Sequence, residues 1–233
     1  ECDIKKTREI FEAAGNLAKL HIIMRYELEH GIPEGTKTDE KYRRHNRELK
    51  KVRQFTRKVV PKGEFEFAFL KQFDQMYQWA EAAVEELDRS DYEKLYAEEM
   101  KKSGMIHGEY NYHNIIMTKE GIATTNFEKF RRDIQVEDLY YFLRKCMEKH
   151  HYDERLGYRM MRAYDSVNNL GKKERDYLAI RLAYPEKFWK ITNSYYHSGK
   201  AWIPAKNVEK LSLSVAQTEE KKRFLRNLFA FQI

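Results

Sequence analysis

One stretch near the middle of the chain, residues 105–125, interrupts a long succession of helical patterns. Outside it, apolar residues recur at three- and four-residue steps, which is typical of amphipathic α-helices. Inside it, residues 114–117 and 122–125 are short runs of strand-forming side chains, and residues 119–121 can turn the chain between them. The sequence therefore predicts a mainly α fold that contains one small β-hairpin.

Glycine and proline divide the helical part, although the chain of 233 residues has only 10 and 4 of them. Long loops are not expected, because these two residues are the strongest breakers of regular structure. Four predicted helices precede the hairpin and five follow it. They cover approximately residues 4–29, 38–60, 64–88, 91–102, 134–149, 153–168, 172–183, 185–198 and 205–229.

Several classes of protein are not expected from the composition. The two cysteines, Cys2 and Cys146, lie far apart, which favours neither a disulfide framework nor a cysteine-based zinc site and indicates a reduced, intracellular setting. No apolar run approaches the ~20 residues of a membrane span, and no secretory signal is visible. Residues 1–3 carry no initiator Met and lead at once into a helical pattern. We therefore interpret the chain as a fragment that begins partway through a larger protein.

The net charge of +7 is concentrated in one predicted helix. Residues 37–62 contain eleven Lys or Arg against three Asp or Glu. Such a segment can be a basic face for nucleic acid, phosphate or an acidic partner, or simply a solvated helix surface. No aromatic stacking pattern of a nucleic-acid-binding module accompanies the charges, so nucleic acid is not expected as a partner.

The most informative motif is His107-Gly108-Glu109, with Asn114 five residues after Glu109. Asn126-Phe127-Glu128 follows directly after the predicted hairpin. Phosphoryl transfer needs a carboxylate that orients the attacking hydroxyl and oxygen ligands that hold Mg²⁺ on the phosphates. A rigid loop and a hairpin can bring such groups together from two nearby strand ends.

This spacing resembles the catalytic core of aminoglycoside phosphotransferases, choline kinases and protein kinases. In those families a His-Gly-Asp or His-Arg-Asp loop supplies a base, an Asn five residues later binds a metal, and a hairpin leads to a metal-binding Asp. The resemblance implies the C-terminal lobe of a kinase-like fold. It makes Glu109 and His107 the catalytic candidates and Asn114 and Asn126 the metal candidates.

Further segments extend the resemblance over nearly the whole chain. Residues 17–21, Leu-Ala-Lys-Leu-His, resemble a helix of the small-molecule kinases, and Asp138 resembles the helix Asp that braces the catalytic loop. The segments 138–150, 184–191 and 200–202 resemble the CotS-type spore coat proteins of endospore-forming bacteria. This implies a single lobe over residues 1–233 without its N-terminal lobe. It also implies a mother-cell protein that is assembled into the spore coat with other coat proteins as partners.

Two positions depart from the kinase pattern. Glu109 stands where an Asp is the base, and its longer arm displaces the carboxylate by about one C–C bond. Asn126 stands where an Asp binds the metal, and an amide oxygen lacks the charge that draws Mg²⁺ from water. The chain also lacks a Gly-rich loop and its partner strand lysine. No cofactor is therefore expected in this fragment, whereas ATP and Mg²⁺ are expected if the full-length parent is active.

Three functional hypotheses follow from these residues. The first is a catalytically degraded, kinase-like assembly protein of the spore coat. The second is an active ATP- and Mg²⁺-dependent phosphotransferase that acts on a hydroxyl of an amino alcohol, aminoglycoside or sugar-like substrate, with carboxylates near the motif forming an acidic pocket for a cationic substrate. The third is nucleic-acid binding by the basic helix, which predicts a steep salt dependence.

Two other groups of residues admit a ligand but favour a simpler interpretation. His113, His150 and His151 do not have the spacing of a helical zinc pair, and no cysteine is near them. Tyr195, Tyr196, Trp189 and Trp202 are aromatic residues that could bind a ring or a cation, but at helical spacing they are more typical of a core.

Overall fold

The computed structural model describes residues 1–25, 31–198 and 205–232. Four helices precede the central segment: α1 (Thr7–Ile23), α2 (Thr38–Lys58), α3 (Glu64–Arg89) and α4 (Tyr92–Lys101). The central segment contains β1 (Met105–Ile106), β2 (Ile115–Met117), β3 (Ile122–Thr124) and β4 (Arg131–Arg132). It is followed by α5 (Val136–Lys149), α6 (Glu154–Asp165), α7 (Lys172–Ala183), α8 (Glu186–His197), α9 (Ala205–Ala216) and α10 (Thr218–Phe229).

The predicted hairpin is confirmed: β2 and β3 pair antiparallel, with Ile115 opposite Thr124. A second antiparallel pair, β1 with β4, was not predicted. Two-residue strands are too short to show the alternation of apolar and polar side chains on which a sequence-based prediction relies. Because β1 and β4 flank the hairpin in sequence and pair with each other, the segment from β1 to β4 leaves the helical body and returns to it at the same place.

The prediction of one helix over residues 205–229 is wrong, because the chain turns at Gln217 between α9 and α10. The two helices pack on different neighbours: α9 lies against α3 and α8, whereas α10 lies against α6 and α7. The side chain of Gln217 fixes the corner by donating a hydrogen bond to the carbonyl of Glu148 at 3.0 Å. Tertiary packing therefore overrides a continuous helical pattern. For the helix predicted over residues 4–29, α1 ends at Ile23, and residues 26–30 lie outside the described part.

The helix predicted over residues 64–88 is present as α3, and it has the apolar face that three- and four-residue spacing indicates. Phe69, Phe73, Met76, Ala80, Val84 and Leu87 are all buried, and α3 packs against α2, α7 and α9. Burial of a large apolar side chain contributes about 1.5–3 kcal/mol to folding, so this helix is a main support of the helical body. Within the described ranges, no helix is both long and apolar enough to cross a lipid bilayer.

A buried ion pair joins α5 to α7. Arg181 donates to both carboxylate oxygens of Glu137, from Nε at 2.5 Å and from Nη2 at 2.6 Å. Tyr177 also donates to Glu137, and Arg181 also donates to Tyr42 of α2. Burial alone would raise the pKa of Glu137, but the charge and hydrogen bonds of Arg181 outweigh it and lower that pKa. Three helices are thus tied by charged and polar contacts inside the fold.

The predicted aromatic group does not form one cluster. Trp189 stacks on His45 with ring centroids 3.3 Å apart, and its indole donates to Glu48. Tyr195 is buried, and its hydroxyl donates to Glu66. Tyr196 makes an edge contact with Phe55, and Trp202 lies outside the described residues. Trp189 and Tyr195 therefore serve the packing of α8.

Replacing Arg181 by Met should destabilise the fold by about 3–5 kcal/mol, because Glu137 would keep a buried, unpaired charge. The double variant R181M/E137Q should lose less than R181M alone, since it removes both charges. Urea denaturation measures both values, with K51M as a control on the exposed side of α2. An equal loss in the single and double variants would contradict this account.

The folded state should lose stability as the pH falls below 7, partly through His45. Burial lowers the pKa of His45 from 6.5 to about 3. Between these two values the unfolded chain binds a proton that the folded chain does not, so the free energy of unfolding decreases as the pH decreases. The variant H45Q lacks this group, and the urea midpoint of the native chain should fall more than that of H45Q between pH 7 and pH 5. Parallel curves would show that His45 does not contribute.

Candidate functional site

Asp138, in the first turn of α5, holds the backbone of the predicted catalytic loop. Its buried carboxylate accepts hydrogen bonds from the amides of His107 at 2.6 Å and of Gly108 at 2.9 Å. A third donor is Nε2 of His21 in α1, at 3.2 Å. These donors satisfy a carboxylate that burial would otherwise leave without partners. Asp138 therefore links the loop to α1 and α5, and its hydrogen bonds support the backbone of the loop.

His107 uses both of its ring nitrogens on the main chain. Its Nδ1 accepts from the amide of Glu109 at 3.1 Å, so its Nε2 carries the proton and donates to the carbonyl of Thr125 at 2.8 Å. The ring is buried and packs on Phe127. With both nitrogens engaged, His107 connects the loop to the end of the hairpin, and its geometry suits support of the loop better than proton transfer.

Gly108 makes the close approach between the loop and the segment after the hairpin possible. Its φ of 81° lies in the region that side chains rarely adopt, and a Cβ atom here would collide with the carbonyl oxygen of Lys129. A residue with a side chain would therefore push Lys129 away from the loop. Glycine is needed at this position for the two segments to touch.

Glu109 lies beside the loop with its carboxylate paired to a lysine. Oε2 of Glu109 is 2.9 Å from Nζ of Lys129, and both side chains are partly exposed. Sequence reasoning missed Lys129. The only signal for it was its place three residues after Asn126, within one short helical turn. The carboxylate at the predicted base position therefore already has a cationic partner.

The two predicted metal residues lie at the open end of the hairpin. The side-chain amide of Asn114 donates to the carbonyl of Glu109 at 3.0 Å, and the amide of Thr125 donates to the carbonyl of Asn114 at 2.9 Å. Asn126, the next residue, is exposed and has φ 65°, a left-handed conformation that asparagine tolerates. The ladder therefore brings both residues to the same end of the hairpin, as the sequence predicted.

These residues fit Mg²⁺ poorly. The two metal positions supply amide oxygens without charge, whereas Mg²⁺ sites in proteins normally use at least one carboxylate. Glu109, the carboxylate of the loop, is paired with Lys129. In the described ranges, no group of three His, Cys, Asp or Glu side chains comes together in a metal-binding arrangement. His113 and His150 contact Glu1 and the carbonyl of Ile4 instead.

The cavity beside Glu109 is lined mainly by basic residues, whereas the phosphotransferase hypothesis predicts an acidic pocket. It has a volume of about 280 Å³ and lies between the loop and helices α2, α5, α7 and α8. Helices distant in the sequence bring the basic groups together, so a count of carboxylates near the motif did not detect them. Its cationic residues are Lys41, Lys129, Arg131, Arg144, Arg181 and Lys190, and its acidic residues are Glu109, Glu137, Asp138 and Glu186.

The exposed basic face of α2 is partly neutralised by α3. Arg43 pairs with Asp88 at 2.6 Å and Arg53 pairs with Asp74 at 2.8 Å, while Lys50 lies over the ring of Tyr77. Surface pairs of this kind contribute at most about 1 kcal/mol each. They nevertheless reduce the free positive surface that a nucleic acid would need, and such binding stays an untested prediction.

A family model described as "Spore coat putative kinase YutH" matches residues 2–228. The chain belongs to this family. The match covers almost the whole chain, including the loop, the hairpin and all the helices described above. The protein is thus a kinase-like member of the spore coat families, and the resemblance drawn from the sequence is confirmed.

A curated relative extends this result. Spore coat protein S of Bacillus subtilis (strain 168) is 28% identical over 170 residues, which are 72% of this chain and 48% of the relative. The chain therefore spans about half the length of the curated relative that it matches.

The fold is shared with a solved phosphotransferase. The crystal structure of the aminoglycoside phosphotransferase from Alicyclobacillus acidocaldarius superposes with a TM-score of 0.85 at 19% identity, covering 97% of this chain and 67% of that one. At this identity the likeness concerns the fold alone. It confirms the predicted fold, a kinase-like C-terminal lobe that is mainly helical.

Replacing Asp138 by Asn should destabilise the protein by about 1.5–3 kcal/mol, the usual contribution of hydrogen bonds to a charged group. The NH₂ group of an Asn side chain would face one of the backbone N–H groups that now donate to the carboxylate, and two donors cannot form a hydrogen bond with each other. Hydrogen exchange at the amides of His107 and Gly108 should accelerate, which distinguishes loosening of the loop from general destabilisation. The variant D91N, at an exposed ion pair with Lys94, should change stability by less than about 0.5 kcal/mol. Unchanged exchange in D138N would contradict the role assigned to Asp138.

Proposed function

We propose that this chain is the kinase-like lobe of a spore coat protein that binds partners within the coat and does not transfer phosphoryl groups efficiently. The observation that carries the proposal is the ion pair between Glu109 and Lys129 at the base position. A base must accept the proton of the attacking hydroxyl. The carboxylate of Glu109 would first have to leave Lys129, and its longer arm places it differently from an Asp.

The residues at the metal positions support the same proposal. Asn114 and Asn126 offer neutral oxygens where phosphoryl transfer needs charge on the metal ligands. The loop itself is held in place by Asp138 and His107. The framework of a kinase is therefore present, while the charges that would perform the reaction are altered. A rigid loop without efficient chemistry suits a binding role.

Location and partners follow from the family. Membership in a spore coat family supports assembly into the spore coat, where other coat proteins are the expected partners. The cavity beside Glu109 and the basic face of α2 are the surfaces that we propose for these contacts.

An active phosphotransferase is the second candidate, and one observation favours it. The side-chain amide of Asn114 donates to the carbonyl of Glu109, so its Oδ1 is directed away from this bond. Within the described residues this oxygen accepts no hydrogen bond and could serve a metal. The acceptor would then be a hydroxyl of an amino alcohol, aminoglycoside or sugar-like molecule, with ATP and Mg²⁺ as cofactors.

Nucleotide binding by the full-length protein separates the two candidates. We expect no Mg²⁺-dependent thermal shift with ATP, whereas a ligand at one hundred times its dissociation constant would add about 2.7 kcal/mol. The double variant E109D/N126D restores the kinase residues and should gain a Mg²⁺-dependent shift. It should fold, because Asp also tolerates the backbone conformation of Asn126. A Mg²⁺-dependent shift in the unaltered protein, together with transfer of phosphate to an alcohol, would overturn the proposal.

A further inference from the structure

The basic cavity beside Glu109 is separate from the positions at which a kinase would hold its nucleotide metal. Neither Asn114 nor Asn126 lines it, whereas Gly108 and Glu109 do. Its remaining walls come from β1, from the segment after the hairpin and from helices α2, α5, α7 and α8. The cavity thus lies on the side of the loop that faces the helical body. At about 280 Å³ it is at the lower end of the range for ligand pockets, ~300–1,000 Å³, and suits a small ligand.

The acidic side chains of the cavity are already engaged. Glu137 is bound by Arg181, and Asp138 is bound by the backbone of the loop. Glu109 pairs with Lys129, and Glu186 lies 3.6 Å from Lys190. An incoming cation would therefore have to displace an existing partner. Two further cations of the lining are paired as well: Arg131 with Asp133 at 3.2 Å and Arg144 with Glu148 at 2.6 Å. Among the described residues that line the cavity, the uncompensated positive charge is therefore that of Lys41.

Lys41 is the cation with the least compensation. Within the part of the chain that the structure describes, its side chain forms no ion pair, although it lines a wall beside Arg181. Burial and the charge of Arg181 lower the pKa of Lys41, and burial also lowers that of Lys190. These groups are held close together against their mutual repulsion. A bound anion would relieve this repulsion.

Residues of α5 and α8 that line the same cavity carry polar atoms without partners. Eight buried side-chain polar atoms in the described ranges lack a hydrogen-bond partner, and three of them belong to residues of this cavity. They are the hydroxyl of Tyr140, Nε of Arg144 and Oε2 of Glu186. Such atoms usually indicate a missing partner. The first two can donate to an anion, whereas Oε2 of Glu186 can only accept, for example from a hydroxyl.

We propose that this cavity binds a phosphomonoester carried by a small hydroxyl-bearing molecule, with Lys41 as the main contact of the phosphate. This inference rests on the binding role proposed above for the same cavity and adds the chemical class of the ligand. Arginine and lysine together suit a dianion with three acceptor oxygens. The hydroxyls of the ligand supply the donor that Glu186 lacks. A cationic aminoglycoside or amino alcohol would meet like charge here.

Isothermal titration calorimetry of the full-length protein with three related sugars tests the charge of the ligand. Glucose 6-phosphate, glucose and glucosamine share one ring and differ in charge. We expect glucose 6-phosphate to bind at least tenfold more tightly than the other two. Inorganic phosphate should bind more weakly than glucose 6-phosphate, because it brings no sugar hydroxyls. Equal or tighter binding of glucosamine would overturn the anion site, and equal binding of phosphate would overturn the contact with Glu186.

Variants of α2 test the role of Lys41. K41M should weaken binding of glucose 6-phosphate at least tenfold, and K41R should retain most of it. K51M removes the same charge from an exposed position of the same helix and should leave binding unchanged. K41M should fold, because Met keeps the apolar stem of the side chain and the lost attraction to Glu186 and Glu137 is offset by relief of repulsion with Arg181 and Lys190. Equal effects of K41M and K51M would overturn the assignment, since they would reflect net charge alone.

Two further measurements, binding by the Y140F variant and turnover of ATP, complete the test of the proposed ligand site. Y140F should weaken binding severalfold without lowering the thermal midpoint, because its hydroxyl has no partner in the fold. A lowered midpoint with unchanged binding would overturn its contact with the ligand. Turnover of ATP with intact phosphate binding would overturn the proposed function alone. Absence of phosphate binding without turnover would overturn this inference alone.

Discussion

The carboxylate of Asp138 is the contact on which the arrangement of the loop depends. It gathers two backbone amides of the loop and a histidine of α1 around one buried side chain of α5. A buried carboxylate is costly unless donors surround it, so the three partners and the carboxylate are stable only together. The loop, α1 and α5 therefore assemble as a unit, and the hairpin joins them through His107 and Thr125.

The preceding residue, Glu137, connects α5 to the helical body. It binds Arg181 and so holds α7, and through Tyr42 also α2, against α5. Two consecutive acids thus connect the loop on one side with the helical body on the other. The basic cavity lies between these two connections, which explains why its walls come from helices far apart in the sequence. Its positive charge is a consequence of how the helices meet.

In the function that we propose, the framework of the kinase-like site is kept while its chemistry is altered. Asp138, His107 and Gly108 hold the loop through their contacts, whereas Glu109 is paired with Lys129 and Asn126 carries a neutral amide. Framework residues support folding as well as function, because their loss leaves buried polar groups unsatisfied. Glu109 and Asn126 are partly or fully exposed, and an exchange to Asp, which tolerates the left-handed backbone of Asn126, affects the fold little. A stable fold is therefore compatible with an altered site.

The sequence by itself determined the helical class and the hairpin, because these depend on periodicity and on short runs of strand-forming residues. The roles of the five site residues from His107 to Asp138 came from the resemblance to kinases and stay predictions. The sequence also indicated the spore coat family, through segments such as residues 138–150 and 184–191. Tertiary structure alone decided the corner at Gln217, the β1–β4 pair, the partner of Glu109 and the charge of the cavity. Each of these depends on groups that are brought together across long separations, or on strands too short to leave a pattern. Lys41 and Arg181 are 140 positions apart and meet only because Glu137 and Tyr42 hold their helices side by side.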